Sequence, residues 1–318
     1  MSETQDSNPV NLWLLDADPA IRWQVMRDLL GKSKKAVELE RRKLAHEGWG
    51  ARLLNAQDPK GTWAGGQSPD AGLYTPKWTS TTYTMLMLRD FGLPATNPQA
   101  KKACAHLLNG GFQRDGGIGY GSSESHTCIT GMVASILSYF EFDDDRLDRI
   151  ADWLLKQQMP DGGWNCRRPT GAKHSSMHST ISVLEGLRQY ELHRGRGSVE
   201  VKDAQQRGRE FLLVHRLFRS HRTGEVIKPI FTRFSHPPRW HYDILRALDY
   251  FREINARRDE RLSDAIDIVQ NSQDREGRWP LQNRWNGKTY FEMERLGEPS
   301  RWNTLRALRV LKWWDRRK

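Results

Sequence analysis

The sequence predicts an all-α chain of five to six helical hairpin repeats closed into a ring, an α/α toroid. Two repeated patterns predict it. The phrase Gln57-Asp-Pro-Lys-Gly-Thr-Trp63 returns as Gln113-Arg-Asp-Gly-Gly-Ile118, Gln158-Met-Pro-Asp-Gly-Gly-Trp164 and Gln273-Asp-Arg-Glu-Gly-Arg-Trp279. A phrase at a near-constant period marks one supersecondary unit copied along a chain. The interval before Gln273 is about twice the others, so a further copy is expected near residue 217, in the polar turn Leu217-Phe-Arg-Ser-His-Arg-Thr-Gly224. The second pattern is Leu184-Glu-Gly-Leu187, Leu245-Arg-Ala-Leu248 and Leu305-Arg-Ala-Leu308, with looser copies at Met85-Leu-Met-Leu88 and Ser135-Ile-Leu137. Apolar residues at i, i+3 and i+4 mark an amphipathic helix, whereas alternating β-type runs are scarce here.

The elements follow in order. One set of helices is predicted at 19–30, 79–91, 127–140, 177–191, 240–254 and 300–314, and a second at 36–55, 97–109, 144–157, 199–216 and 259–272. Asn97-Pro98, Asp144-Asp145 and Pro299-Ser300 signal starts, and Gly31, Gly92 and Gly110 signal stops. Residues 1–15 read as a flexible N-terminal leader and 16–318 as a single toroid domain. In a ring of such pairs the first set forms an inner barrel of parallel helices and the second an outer barrel running the other way. Each outer helix ends in a Gln phrase, and a long loop then leads into the next inner helix. All Gln phrases therefore gather on one rim, beside the N-termini of the inner helices.

Composition bounds the function. A chain of 318 residues is large enough for one sizeable domain. No run of about 18 apolar residues exists to span a membrane, and the N-terminus lacks a secretory signal pattern, so a cytoplasmic location is expected. Three cysteines, Cys104, Cys128 and Cys166, are too few for a disulfide framework. The net charge of +11 concentrates in 32–43, 194–209 and 316–318. It reads first as solvated outer-helix faces; an anionic membrane surface or a polyphosphate is the partner such charge would attract. No aromatic-basic motif accompanies it, which argues against nucleic acid.

The Gln-to-Trp turn after a helix resembles the QW repeat of squalene-hopene and oxidosqualene cyclases and, more weakly, of protein prenyltransferase β subunits. The resemblance covers residues 15–315 and is clearest at Gln158-Met-Pro-Asp-Gly-Gly-Trp164. It implies an α/α toroid and an enzyme acting on an isoprenoid or other apolar substrate in the central cavity. Triterpene cyclases have two toroids, and this chain has room for one. Class II terpene cyclases protonate an alkene with the central Asp of an Asp-x-Asp-Asp motif. The nearest phrase here, Phe142-Asp-Asp-Asp145, lies at the start of an outer helix on the far rim, where capping is its expected role.

The Gln rim collects the chemistry-bearing residues. Ser125-His126-Thr127-Cys128 opens the third inner helix, Asn165-Cys166 follows the third turn, and His174-Ser-Ser-Met-His178 leads into the fourth inner helix. Arg239-Trp-His-Tyr-Asp243 opens the fifth. Zinc takes tetrahedral Cys and His ligands, so the expected ligands are Cys128, Cys166 and His178, with His174 or His126 as the fourth. His126-Thr-Cys128 is similar to the phrase carrying the zinc-binding His of prenyltransferase β subunits. Without a metal, His241 and Asp243, with His126 or His178, are the candidates for general acid–base work. Trp78, Tyr83, Trp240, Tyr242 and Trp302 are expected to wall the substrate, with ring faces able to stabilise a cationic intermediate. Arg239, with Arg233 and Arg301, is placed to clamp a diphosphate. Two other readings stand beside this one. The first is an α/α-toroid hydrolase or lyase on an acidic glycan, which would need paired carboxylates drawn from Glu124, Asp243 and Glu292. The second is a non-catalytic, zinc-stabilised binding scaffold.

Overall fold

In the computed structural model residues 8–65, 68–121, 124–195 and 198–316 are described. The inner barrel is α2 (Pro19–Asp28), α5 (Thr81–Phe91), α7 (Thr127–Tyr139), α9 (Met177–Arg194), α11 (Ile244–Glu253) and α13 (Arg301–Asp315). The outer helices are α3 (Lys34–Arg42), α4 (Gly48–Asn55), α6 (Pro98–Gly111), α8 (Arg146–Lys156), α10 (Val199–Val214) and α12 (Ser263–Asn271). The inner helices begin where the sequence places them, within a few residues.

Two elements differ from expectation. Residues Pro9–Leu15 form a helix, α1, packed on α2, where a flexible leader was expected; Asn8 caps it by accepting from the Val10 amide. Residues 1–7 lie outside the described residues. The outer helix expected over 36–55 is broken between Arg42 and Gly48. Gly48 has φ +66°, and a Cβ there would run into the Asp18 carboxylate. That carboxylate is already engaged, accepting from the amides of Ala20 (2.9 Å) and Trp49 (2.7 Å).

The repeated phrase has one structural job in each unit. The indole N–H of Trp63 donates to the Leu53 carbonyl (2.8 Å), that of Trp164 to Leu154 (2.7 Å) and that of Trp279 to Val269 (2.6 Å). Each indole thus adds a second donor to a carbonyl in the last turn of its own outer helix, which also accepts from the amide three residues on. Where the phrase ends in Ile118, the Tyr120 hydroxyl does the same for Leu107 (2.9 Å). The backbone amide at the Trp position then donates to a threonine in the first turn of the next inner helix. The pairs are Trp63 to Thr81, Ile118 to Thr130, Trp164 to Thr180 and Trp279 to Thr304, all between 2.9 and 3.0 Å. The glutamine reaches forward: Gln57 donates to the Gln99 carbonyl and Gln158 to that of Ala204, both in the next outer helix. The amide therefore joins the units, with Gln57 and Gln158 adding to the link, while Gln113 bonds within its own turn to Gly111 and Gly119 and the indole closes its own unit. The degenerate copy near residue 217 is a tight turn in which Arg216 and Leu217 have positive φ and Arg219 pairs with Val226.

The ring closes through side chains of the inner helices. Gln24 of α2 donates to the Asp90 carbonyl of α5 (3.1 Å), and Arg89 of α5 binds Ser135 of α7. Helices α7 and α9 pack glycine to glycine: a Cβ on Gly131 would lie 2.7 Å from the Ser182 carbonyl, and one on Gly186 would strike Gly131. Glu185 of α9 takes two bonds from Arg246 of α11 (2.7 and 2.8 Å). Asp249 of α11 pairs with Arg309 of α13, which donates to Gln24 of α2 (2.9 Å) and completes the circuit. Among the described residues no helix is long and apolar enough to cross a membrane.

Candidate functional site in the ring cavity

The inner barrel encloses a cavity of about 470 Å3, reached from α2, α5, α9, α11, α13 and the loop 236–239. Its two ends differ in chemistry. The floor is an arginine–carboxylate belt: Arg89 with Asp90 and Glu185, Arg246 with Glu185, and Arg252, Arg306 and Arg309 around Asp249, with Arg246 and Arg306 also reaching the rim carbonyls of His241 and Ser235. Burial would raise both carboxyls. At Glu185, Arg246 with Arg89 and Arg306 outweighs burial; at Asp249, Arg309 and Arg252 do, and both stay below the ordinary carboxylate range. They are fixed anions that hold the guanidinium groups in place.

The mouth, at the N-terminal rim, is largely aromatic, and one buried charged group in it makes no ion pair among the described residues. His236 stacks on Trp302 (centroids 4.2 Å apart), and Trp78 meets Tyr83 edge to face (4.8 Å). Among the described residues neither His236 nitrogen nor the Trp302 indole N–H has a hydrogen-bond partner. Burial and the neighbouring Arg306, Arg239 and Arg309 hold His236 neutral, far below the usual histidine range. The charged group is Arg239. It is 8% exposed, donates to the Met87 sulfur (2.9 Å), lies over the Trp78 ring (5.5 Å) and makes no ion pair among the described residues. Burial pushes its pKa down to about 10. Its backbone has φ +60°, a conformation uncommon outside glycine. A second, smaller cavity of about 50 Å3 shares Met87, His236, Pro237 and Arg239 with the first and is roofed by the loop 284–294.

Of the expected substrate residues, Tyr83, Trp302 and Arg239 line the main cavity, and Trp78 lines the smaller one with Arg239. Trp240 and Tyr242 line neither. Trp240 stacks on His241 (3.8 Å), and Tyr242 is fully buried with its hydroxyl donating to the Leu217 carbonyl (2.6 Å). Arg301 interacts with Trp13 and Asp16 at the outside of the ring, and Arg233 lines neither cavity.

The expected catalytic set is taken up by structure. The His241 ring is sandwiched between Trp285 (3.4 Å) and Trp240 (3.8 Å). Burial with His178 and Arg246 pushes its pKa down to about 3. A base that weak transfers protons poorly near neutral pH. Asp243 is fully buried and caps α11 through the Arg246 amide (2.8 Å) while accepting from Ser235. His126 is the residue before α7, and its carbonyl accepts from Thr130.

The expected zinc ligands do not come together. Cys128 and Cys166 meet, but His178 stands among Trp240, His241 and Phe231 with its Nδ1 accepting from the Tyr242 amide (2.8 Å), and His174 is exposed. Among the described residues no three His, Cys, Asp or Glu groups converge as a metal would require. The donor set does not fit zinc, and no step is assigned to it. Of the carboxylates expected for glycan cleavage, Asp243 is a buried cap and Glu292 pairs with Arg284. Phe142-Asp-Asp-Asp145 is a surface cap, as expected, with Asp144 accepting from the Arg146 amide (2.9 Å).

Sequence reasoning missed His236, Trp285 and the whole belt. His236-Pro237 and Trp285 lie in loops outside every repeated phrase. The belt arginines occupy inner-helix positions that single-sequence patterning assigns to solvent.

The fold and the cavity define a single-ring α/α toroid with a largely aromatic mouth, a buried arginine, Arg239, that is unpaired among the described residues, and a charged floor. Among solved structures, the chain is similar to a protein from Actinoplanes at 14% identity, over 94% of this chain and 90% of that one, with a TM-score of 0.48. It is also similar to a variant of the type II terpene cyclase MstE from Scytonema in complex with geranylgeranyl dihydroxybenzoate, described as its substrate. That match has 15% identity, covers 94% of this chain and 87% of that one, and has a TM-score of 0.48. Apo MstE matches at 15% identity over 92% and 86% of the two chains, with a TM-score of 0.46. No protein-family model and no curated protein matches the chain. The ring assignment rests on the chain's own helix contacts.

Proposed function

We propose that this protein is a squalene-cyclase- or prenyltransferase-like enzyme whose ring cavity takes an isoprenoid-type apolar chain ending in an anionic group, such as a diphosphate. The observation that carries the reading is Arg239. An unpaired buried cation is costly to maintain unless a ligand completes it, and Arg239 stands where both cavities meet. Guanidinium binds phosphate or carboxylate oxygens bidentately. The apolar chain would lie against Trp78, Tyr83, Trp302 and the neutral His236 ring, whose faces also suit a carbocation. Glu185 and Asp249, held as anions, serve as counter-ions to the belt and not as acids.

The proton donor in this reading is Glu294. It lines the smaller cavity beside Trp78 and Trp285 and accepts from the Ser300 hydroxyl (2.6 Å) and the Trp302 amide (3.2 Å), and burial raises its pKa above the ordinary carboxylate value. In the proposed reaction the Glu294 proton adds to a substrate alkene, the resulting carbocation closes on a second alkene within the aromatic mouth, the cyclic cation loses a proton to water to leave a neutral cyclic alkene, and Glu294 regains its proton from solvent.

The test is to titrate the protein with geranylgeranyl diphosphate and with geranylgeraniol, reading tryptophan fluorescence, and to analyse the extracted products by mass spectrometry. Preferential binding of the diphosphate, with a cyclised product that the Glu294→Gln variant no longer makes, supports the proposal. Equal binding of the alcohol rejects the anionic head. A tightly bound but unchanged isoprenoid rejects catalysis and leaves a binding protein.

A further inference from the structure

Away from the cavity, Cys128 and Cys166 form a paired thiol site that the proposed function does not use. Cys128 is the second residue of α7, and its amide is one of the first-turn N–H groups that an α-helix leaves without an internal acceptor. That amide donates to the Cys166 sulfur at 3.1 Å. The Ser179 hydroxyl, near the start of α9, donates to the same sulfur at 3.3 Å, while the Cys166 amide donates back to Ser179 Oγ at 3.2 Å. Two N-terminal helix turns therefore aim donors at one sulfur atom. This is the environment that favours a thiolate, since positive helix ends and hydrogen-bond donors stabilise the anion. The Cys128 amide contact places the two cysteines side by side at the rim. Both side chains are half-buried, whereas Cys104 is fully buried within α6.

We infer that Cys166 is a nucleophilic thiolate and Cys128 its resolving partner, forming a dithiol site that reacts with low-molecular-weight disulfides and closes to a Cys128–Cys166 disulfide. In the first step the Cys166 thiolate attacks one sulfur of oxidised glutathione. The external S–S bond breaks, one glutathione thiolate leaves, and a mixed disulfide remains on Cys166. In the second step Cys128 gives its proton to solvent and attacks the Cys166 sulfur, and the second glutathione leaves as thiolate. The protein loses two thiol hydrogens, and the external disulfide is reduced to two thiols. Cys166 attacks first because its sulfur collects the donors. Cys128 resolves because its backbone amide already binds that sulfur, which keeps its side chain beside Cys166 without a third residue.

The same pairing separates this site from a metal site, because two sulfurs suffice for the exchange while zinc requires further ligands that the rim does not bring. Burial pushes the Cys104 thiol up to about 12, so it provides an unreactive internal control in the same chain.

The experiment uses the full-length protein, reduced and kept anaerobic, then exposed to oxidised glutathione, acid-quenched, alkylated with iodoacetamide and mapped by peptide mass spectrometry. The expected result is a Cys128–Cys166 cross-linked peptide, with Cys104 still free for alkylation after unfolding. In Cys128→Ser, one glutathione accumulates on Cys166. In Cys166→Ser, the reaction at Cys128 slows by about tenfold or more. In the unmutated protein, brief alkylation without oxidant labels Cys166 before Cys128 and Cys104, a result independent of how well either variant folds. A persistent mixed disulfide in the unmutated protein would overturn the resolving role. Cys128 labelling first, or undiminished reactivity in Cys166→Ser, would overturn the nucleophile.

Discussion

The two ends of the ring are built from the same repeated helices and hold opposite chemistry. In the belt the arginines facing Asp249 or Glu185 are paired, so the charges hold neighbouring inner helices together. At the N-terminal rim the walls are mainly indole, phenol and imidazole rings, and the buried Arg239 guanidinium has no carboxylate partner among the described residues. Paired charge is structure, and unpaired charge is an invitation to a ligand. Changes in the belt should therefore register as lost stability, and changes in the mouth as lost binding.

The largest effect is expected at Asp249. Asp249→Asn leaves Arg309, Arg306 and Arg252 without their shared anion, and removing one partner of a buried ion network costs about 3–5 kcal/mol. Denaturant unfolding measures it; a loss below about 1 kcal/mol would mean that the belt contributes little to the ring. A smaller effect belongs to the repeated turns. Thr304→Val leaves the Trp279 amide without its acceptor inside the core, a loss of about 1–3 kcal/mol, and Thr81→Val and Thr180→Val should behave alike because the contact is the same. Unequal losses at these three sites would show that the units are not energetically equivalent.

The pH dependence compares the two ends in one experiment. His178 and His241 have folded pKa values pushed down to about 4 and about 3, below the ordinary histidine value near 6.5. Between those limits the unfolded chain binds more protons than the folded one, so stability falls as pH drops from 7 toward 4. The belt carboxylates, held low in the fold, add their loss only below about pH 4, where unfolded carboxyls take up protons. His241→Phe keeps a ring between Trp240 and Trp285 and should flatten the slope from pH 7 to 5 without altering the acid limb. An unchanged slope would show that His241 is not neutral by burial.

These contrasts explain what was legible in the sequence. The Gln-to-Trp phrase and the leucine spacing located the helices because each copy performs the same local task, with an indole on its own helix and an amide on the next threonine. Arg239, Tyr83, Trp78 and Trp302 were legible as cavity residues because they fall at the starts of inner helices. The metal set failed because sharing a rim is weaker than sharing a point. The loops before α7 and α9 bring Cys128 to Cys166, while His178 turns toward the loop before α11 and joins Trp240 and His241. The belt was hidden because Arg246, Arg306 and Arg309 look like surface residues until the ring closes and their carboxylates arrive from other helices. His236 was hidden in a loop with no periodicity.

The most direct measurement is calorimetric titration of geranylgeranyl diphosphate into the unmutated protein and into Arg239→Gln, with unfolding curves recorded for both. Removing a charge-assisted contact worth about 1.5–3 kcal/mol should weaken binding by about 10- to 150-fold. Stability should hold or rise, because an unpaired buried cation is gone. Unchanged affinity, or a variant destabilised as strongly as Asp249→Asn, would place Arg239 among the structural charges and remove the anionic ligand from the cavity.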